Sequence, residues 1–144
     1  MAEIIAVCLS TVTGTSKIPV VHGVMKAGYG LEGDAHAGGD PIRQISLLAF
    51  ESIEKMNDGN FSFHPGDFAE NITTIGINLA ALPIKTRLII GDEATIEITQ
   101  IGKKCHTGCA IYKQTGRCIM PREGVFASVI KGGTVRSGDT ISVI

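Results

Sequence analysis

Short apolar segments separated by glycine-rich turns dominate the pattern along this chain. Branched residues are concentrated in residues 3–9 and again in 18–24, which predicts two strands, the second interrupted by Pro19 at an edge or a bulge. Residues 86–90 predict another strand. Residues 90–98 and 136–143 share one pattern, a Gly-Asp turn followed by alternating apolar and polar residues. Such alternation predicts antiparallel strands with one buried face, and the Gly-Asp turns predict hairpins.

Helical periodicity is confined to a small part of the sequence. Ser46 is a favourable N-cap, and apolar residues recur at helical spacing from there to Met56, so we expect a helix over this segment. Residues 79–82 are expected to form one helical turn. Five or more short strands and one clear helix predict a mostly β fold, a single domain over residues 1–144. We expect a β-barrel or a strongly curved sheet with a few short helices.

Composition narrows the class of protein. The 144 residues suit one domain, and a hydrophobic fraction of 44% excludes a disordered chain. A formal net charge of -1 argues against a nonspecific nucleic-acid binder. The apolar runs are too short for a membrane span, and the amino terminus lacks the basic region of a signal peptide. We therefore expect a cytoplasmic protein with a small-molecule partner, no nucleic acid and no membrane, whose cysteines are thiols.

Residues 28–41 contain five glycines in fourteen residues and predict a shaped loop rather than a regular element. Such loops let backbone N–H groups approach a ligand, and Asp34 with His36 forms a polar cluster within it. Gly28, Gly30 and Gly33 have the Gly-x-Gly-x-x-Gly spacing of dinucleotide-binding proteins, but more loop follows them instead of a helix. A bound dinucleotide is therefore not predicted. Arg43 follows the loop, where its guanidinium could bind a carboxylate or phosphate. The alternatives are a solvated loop histidine and an ordinary surface arginine.

Two further residues have competing interpretations. Asn71 lies at a corner before an apolar segment, where its amide could tie a turn together or hydrogen-bond the polar edge of a ring. Cys8 lies inside an apolar run and is expected to be a core residue.

The remaining cysteines mark residues 102–120, which we call the cysteine segment. It contains Cys105, Cys109 and Cys118 with one histidine and four cationic side chains. Neighbouring cations favour the thiolate, the nucleophilic and metal-binding form of cysteine. The spacing fits neither a zinc ribbon, haem attachment nor a thiol-disulfide enzyme, although a zinc site with three cysteines and a histidine remains open. The other interpretation is one reactive cysteine that carries sulfur or binds a thiophilic metal.

Five segments in order resemble the MOSC family, named after the carboxy-terminal domain of molybdenum-cofactor sulfurases. They are Gly30-Leu-Glu-Gly-Asp-Ala-His36, Arg43-Gln-Ile-Ser-Leu, Gly66-Asp-Phe-Ala-Glu-Asn-Ile72, residues 105–120, and Val125-Phe-Ala-Ser-Val-Ile-Lys-Gly-Gly-Thr-Val-Arg-Ser-Gly-Asp139. The resemblance covers nearly the whole chain. It implies a β-barrel, a cytosolic setting, and a cysteine that carries sulfur or ligates the molybdenum of the pterin cofactor.

The resemblance also implies site residues. Cys109 best matches the family's cysteine, as sulfur carrier or metal ligand, and Cys105 is second. His36, Arg43 and Asn71 fall in segments that line the pocket over the pterin and its phosphate in relatives. Two cationic residues of the cysteine segment complete the predicted cofactor site: Lys104 and Arg117.

The chain departs from the longer family members in two ways. It lacks the pyridoxal-phosphate desulfurase region, so no pyridoxal phosphate is expected, and it lacks the flanking domains of molybdenum-dependent N-hydroxylamine reductases. We therefore expect a molybdenum-cofactor binding and handling protein, a sulfur carrier whose partners are cofactor-biosynthetic and acceptor enzymes. The alternatives are a molybdenum-dependent reductase of N-hydroxylated compounds with an electron-donor partner, and a small zinc-binding or structural barrel. Exposed strand edges also make a homo-oligomer an expectation.

Overall fold

The computed structural model describes residues 2–12, 16–57, 63–102 and 123–144. Within these ranges the chain is built almost entirely of short strands. The strands are β1 (Glu3–Leu9), β2 (Ile18–Val20), β3 (His22–Lys26), β4 (Gly30–Leu31), β5 (Ile45–Ala49), β6 (Ile72–Ile75), β7 (Arg87–Ile90), β8 (Ala94–Ile101), β9 (Val125–Lys131), β10 (Gly133–Arg136) and β11 (Ile141–Val143). A five-residue helix α1 (Phe50–Glu54) and one 3₁₀ turn (Leu79–Ala81) complete the described elements.

The strands form two sheets. One has eight strands in the order β11-β7-β8-β9-β5-β6-β1-β2, and the other has three in the order β10-β3-β4. Every neighbouring pair is antiparallel except β5 with β6. The predicted mostly β fold with a few short helices is thus confirmed.

The large sheet curves so far that β1 comes close to the residues just before β11. No continuous ladder joins these two strands, so the described sheet does not close into a barrel. Glu3 and Thr140 form an isolated antiparallel bridge, and the backbone N–H of Ile4 donates to the carbonyl of Asp139 at 2.8 Å. The described sheet is therefore strongly curved and joined at this place by a few backbone hydrogen bonds.

Branched side chains of the curved sheet meet in one core. The main cluster of buried residues draws on nearly all the strands and includes Val7, Leu47, Ile72, Ile96 and Val125, all at 0% exposure. A second, aromatic-rich cluster lies on the other side of β5 around Phe68 and α1. Because β5 separates the two clusters, both of its faces are buried.

The burial of β5 overturns the prediction of a helix beginning at Ser46. Residues 45–49 are buried at all five positions and pair with β9 on one side and β6 on the other. The helix instead begins at Phe50, after Ala49, with no side-chain cap. A continuous apolar run fits a fully buried strand as well as a helical stripe, and here the two neighbouring strands decide the outcome.

Most of the other local predictions are confirmed, and one is wrong. The strand over residues 3–9 and the helical turn near residue 79 are confirmed, and Pro19 lies in β2, at the edge of the large sheet, where its missing N–H breaks no interior ladder. Gly91 and Asp92 join β7 to β8 as a hairpin. The second Gly-Asp turn is not a hairpin, because the strands it joins, β10 and β11, belong to different sheets.

Asn71 joins three neighbouring strands of the large sheet, β5, β6 and β1. Its Nδ2 donates to the carbonyl of Cys8 in β1 at 3.1 Å, and its Oδ1 accepts from the backbone N–H of Ser46 in β5 at 3.0 Å. The residue directly precedes β6 and is fully buried. One amide group therefore satisfies backbone groups on both neighbours of β6.

We predict that Asn71→Ala destabilises the protein by roughly 2–4 kcal/mol, because it leaves a buried N–H and a buried carbonyl without partners. Urea unfolding followed by circular dichroism measures the change. Asn78→Ala is the matched control, since Asn78 is exposed and makes no side-chain cap hydrogen bond. Equal stability of the two variants would contradict a stabilising role for the buried amide.

Candidate functional site

Arg43 lies beside the two points where the described chain meets the cysteine segment. Its Nε donates to Oε1 of Gln100 at 3.1 Å, and its guanidinium carbon lies 5.4 Å from the ring centroid of Phe126. Gln100 in turn donates from Nε2 to the carbonyl of Gly102 at 2.8 Å. The N–H of Gly102 donates to the carbonyl of Gly124 at 2.6 Å, so the chain leaves and returns at one place.

These contacts fix the direction of the Arg43 guanidinium. Hydrogen bonding at Nε and stacking on an aromatic face reduce the rotamer freedom that an arginine loses on binding a ligand. Among the described residues its two terminal nitrogens have no hydrogen-bond partner. The side chain therefore presents a pre-oriented pair of donors, a geometry that suits a phosphate or carboxylate.

Lys17, Asp34 and His36 form a second polar cluster, at the glycine-rich loop. Nζ of Lys17 lies 2.8 Å from Oδ1 of Asp34 and 3.2 Å from Nδ1 of His36. The backbone N–H groups of Ser10 and His36 donate to the two carboxylate oxygens at 3.1 and 3.2 Å. The lysine and aspartate side chains are fully buried, whereas the histidine side chain is 35% exposed. His36 is therefore the member of this cluster that a ligand can reach.

The electrostatics of this cluster keep Asp34 ionised. Burial alone would raise the pKa of Asp34, but the neighbouring His36 side chain, with hydrogen bonds from Lys17 and the backbone N–H of Ser10, outweighs burial and lowers the pKa below its ordinary value. The predicted association of Asp34 with His36 is confirmed, and Lys17 completes it as the cation that a buried carboxylate needs.

Glu70 is a second buried carboxylate, beneath the loop that supports Lys17. It accepts hydrogen bonds from the backbone N–H groups of Gly66 and Phe68 and from Oγ1 of Thr73 at 3.0, 3.3 and 2.8 Å. Burial raises its pKa to about 7 despite these hydrogen bonds, because no cation accompanies the group among its hydrogen-bond partners. Glu70 is thus near the balance between its neutral and charged forms at physiological pH.

Cys8 behaves as a core residue, as predicted. It is fully buried, and desolvation, with the negative charges of Glu70 and Asp67, raises the pKa of its thiol to about 12 against the opposing effect of Lys17. A thiol of this kind is a poor nucleophile and metal ligand. A reactive cysteine in the cysteine segment stays a prediction.

The predicted site residues thus fall into two groups. Arg43 and His36 lie in polar surroundings and are partly accessible, and Asn71 is buried with its amide bonded to the backbone of neighbouring strands. Its direct contact with a cofactor stays a prediction. The other predicted residues lie outside the described residues: Lys104, Cys105, Cys109, Arg117 and Cys118.

Two cavities open on the described surface away from these residues. One, of about 320 Å³, lies beside α1 and is lined by Glu51, Ser52 and Lys55 among others. The other, of about 470 Å³, lies around the two Gly-Asp turns and is lined by three acidic side chains together with Arg136 and two threonines. Neither has Arg43 or His36 in its lining. Among the described residues no three His, Cys, Asp or Glu side chains are grouped as metal ligands would be.

The protein-family comparison decides which family this fold and loop pattern represent. The model of the MOSC domain matches residues 33–142, which is well over half of the chain. The chain belongs to the MOSC family. MOSC domains bind the molybdenum cofactor in related proteins. The match includes Asp34, His36, Arg43, Asn71 and the cysteine segment, and it begins after Lys17.

Solved structures agree with the MOSC assignment at the level of fold. The YUAD protein from Bacillus subtilis has a TM-score of 0.81 at 18% identity, with 99% of this chain and 96% of that chain covered. YiiM from Geobacillus stearothermophilus has a TM-score of 0.77 at 18% identity, with 100% and 75% covered. YiiM from Escherichia coli gives 0.64 at 19% identity, with 99% and 68% covered. No curated protein sequence matches the chain significantly.

None of the described helices has the length and apolarity to cross a bilayer.

Sequence reasoning missed three residues that shape this MOSC site: Lys17, Glu70 and Gln100. Each is a polar side chain within or beside an apolar strand, where a solvated position is the usual outcome. Glu70 follows the apolar pair Phe68-Ala69 but precedes Asn71, which is only a weak signal of burial. Nothing in the sequence pairs Lys17 with Asp34, seventeen residues away, or Gln100 with Arg43, fifty-seven residues away.

The two buried carboxylates predict opposite slopes of stability against pH. The pKa of Glu70 is raised from 4.5 to about 7, so the folded state binds a proton that the unfolded chain has released. Its stabilising contribution is therefore fully present below about pH 4.5 and is lost as the pH rises through about 7. The pKa of Asp34 is lowered from 3.8, so its contribution is present above that value and is lost as the pH falls below it.

We expect the free energy of unfolding to fall by up to about 3 kcal/mol between about pH 5 and about pH 8 because of Glu70. Urea unfolding at closely spaced pH values measures it. The same series on Glu70→Gln supplies the control, since the two proteins differ only in the group that can lose a proton at position 70. Parallel pH profiles for parent and variant would show that Glu70 does not change its protonation on unfolding.

Proposed function

We propose that this protein binds the molybdenum cofactor and handles sulfur for it through Cys109, with Cys105 as the second thiol. The observation that supports this function best is the position of Arg43. A pre-oriented guanidinium lies beside Gly102 and Gly124, the residues between which the cysteine segment begins and ends. An anion held by Arg43 would lie near Gly102 and Gly124, on either side of the segment that contains Cys105 and Cys109.

The described residues fit the polar part of a pterin cofactor. The terminal nitrogens of Arg43 suit a phosphate, with Lys104 and Arg117 as additional cations, and the partly exposed ring of His36 can hydrogen-bond a polar atom. Asn71 contributes indirectly. Its Oδ1 accepts the backbone N–H of Ser46, which lies three residues after Arg43, and this hydrogen bond fixes the beginning of β5. In this proposal the cofactor supplies a metal centre with affinity for sulfur, and the chain supplies binding and a thiol.

The sulfur chemistry is assigned to the thiols of the cysteine segment. The Cys109 thiolate attacks the outer sulfur of a persulfide on a separate donor enzyme; the sulfur–sulfur bond of the donor breaks, the donor cysteine leaves as a thiolate, and Cys109 holds the sulfur as a persulfide. A second thiol, Cys105 or Cys118, then attacks the inner sulfur, so that a disulfide forms between the two cysteines and the outer sulfur leaves as hydrosulfide. The second thiol is oxidised and the transferred sulfur is reduced. A reductant of the thioredoxin class then returns the disulfide to two thiols.

We predict that Arg43→Met lowers the amount of cofactor retained by protein purified from molybdate-supplied cells by about tenfold to a hundredfold. The loss corresponds to one bidentate, charge-assisted contact. Native mass spectrometry measures the bound mass. Arg136→Met is the control, because Arg136 is an exposed arginine on β10. Equal retention by the two variants would remove Arg43 from the site.

We further predict that Cys109→Ser abolishes a mass increase of one sulfur atom, read on the same protein before reduction, and leaves cofactor retention measurable. Cys8→Ser is the control variant, since that buried thiol should carry no sulfur. Persulfide on Cys8 or none on Cys109 in the parent would contradict the assignment. Turnover of a hydroxylamine substrate with reduced viologen dye would instead identify a reductase, and stoichiometric zinc would identify a zinc-binding domain.

A further inference from the structure

The two ring nitrogens of His36 face different surroundings. Nδ1 lies 3.2 Å from Nζ of Lys17, inside the buried cluster. The histidine side chain is 35% exposed, whereas those of Lys17 and Asp34 are not exposed at all. The part of His36 available to a ligand is therefore the part of the ring away from Lys17, which includes Nε2.

The contact with Lys17 determines what each nitrogen can do. A lysine ammonium has three N–H donors and no acceptor, so a hydrogen bond between Nζ and Nδ1 requires that Nδ1 be the acceptor. A neutral imidazole that accepts at Nδ1 carries its proton on Nε2. A second proton at Nδ1 would place two cations 3.2 Å apart in a largely buried site.

Asp34 holds Lys17 in the charged form that this argument needs. Nζ is 2.8 Å from Oδ1, and a fully buried carboxylate without a cation would be strongly unfavourable. Asp34 is also not placed to accept a proton from Nδ1 of His36. Its Oδ2 lies 3.7 Å from that nitrogen, beyond hydrogen-bond distance, and already accepts the backbone N–H of His36 at 3.2 Å.

The backbone around Lys17 is also constrained. Its N–H donates to the carbonyl of Gly66 at 2.7 Å. Gly66 has φ of +90°, and a Cβ there would lie 2.3 Å from the carbonyl oxygen of Lys17, so only glycine allows this approach. The glycine-rich loop that carries His36 is fixed by the backbone N–H of Ala35, which donates to the carbonyl of Ser10 at 2.7 Å. Lys17 and His36 are thus held in contact from both sides.

We propose that Lys17 is a positioning residue that holds His36 with its proton on Nε2, so that His36 presents an N–H donor to the bound molecule. The ligand atom it recognises is a hydrogen-bond acceptor, such as a phosphate or ring carbonyl oxygen. In this form Nε2 has no free lone pair, so His36 neither ligates a metal nor accepts a proton there. The identity of the ligand rests on the proposed function, whereas the tautomer does not.

The tautomer is tested on the protein without any ligand. Long-range proton–nitrogen correlations of ¹⁵N-labelled protein distinguish the two neutral forms of each histidine, and His36→Gln assigns the signals. We expect the Nε2–H form in the parent at neutral pH. The double variant Lys17→Met/Asp34→Asn, which removes both buried charges together, should show a mixture of the two forms. An Nδ1–H form in the parent, or an unchanged Nε2–H form in a folded double variant, overturns the role of Lys17.

The donor role is tested by cofactor retention in protein from molybdate-supplied cells. His36→Leu should lower retention roughly tenfold, whereas His36→Gln, whose amide N–H can donate, should retain several times more than His36→Leu. Equal loss in both variants overturns the donor role. A parent that retains no cofactor overturns the proposed function and the ligand assignment together, and the tautomer is then decided by the spectra alone.

Discussion

Two neighbouring buried polar side chains, Glu70 and Asn71, are the constraint on which the described structure depends. A curved sheet of short strands, with β5 buried on both faces, has little room there for unpaired backbone groups, each of which is costly in such an environment. Asn71 satisfies groups on β1 and β5, and Glu70 satisfies the N–H groups of the turn at residues 66–68. Sheet and turn are therefore joined at one corner by polar contacts rather than by apolar packing alone.

That corner also determines where the accessible polar residues lie. The turn that Glu70 holds includes Gly66, whose carbonyl receives the N–H of Lys17, and Lys17 in turn pairs with Asp34 and contacts His36. A continuous set of hydrogen bonds thus runs from a carboxylate in the core to an imidazole at the surface. The buried side chains of this set, Glu70, Lys17 and Asp34, are ionisable, so each depends on its hydrogen-bond partners. We therefore expect a substitution of Glu70 to alter the glycine-rich loop at residues 28–41.

The parts of the fold that could be predicted are those set by local pattern. The branched run at residues 3–9 favoured a buried strand, and Pro19 favoured an edge or a bulge, of which the structure has the edge. The segment after Ser46 could not be assigned locally, since its apolar residues suit a helix and a buried strand equally, and pairing with β6 and β9 chose the strand. The same holds at the site. Arg43 and His36 stand out because of residue type and glycine-rich context, whereas Lys17 is recognisable only once the turn carrying Gly66 has brought it to the loop.

The two cations of the candidate site, partly exposed Arg43 and buried Lys17, differ in how they act on a ligand. Arg43 is held at Nε and on one face, so its charge and two nitrogens remain available and it contributes affinity for an anion. The charge of Lys17 is balanced by Asp34, so Lys17 contributes little direct attraction for a ligand. It acts instead on the hydrogen-bonding pattern of His36. This difference between the roles of Arg43 and Lys17 suits a ligand with an anionic group at one end and neutral polar atoms at the other. An all-anionic ligand would be served better by two free cations, and a neutral ring system would need neither.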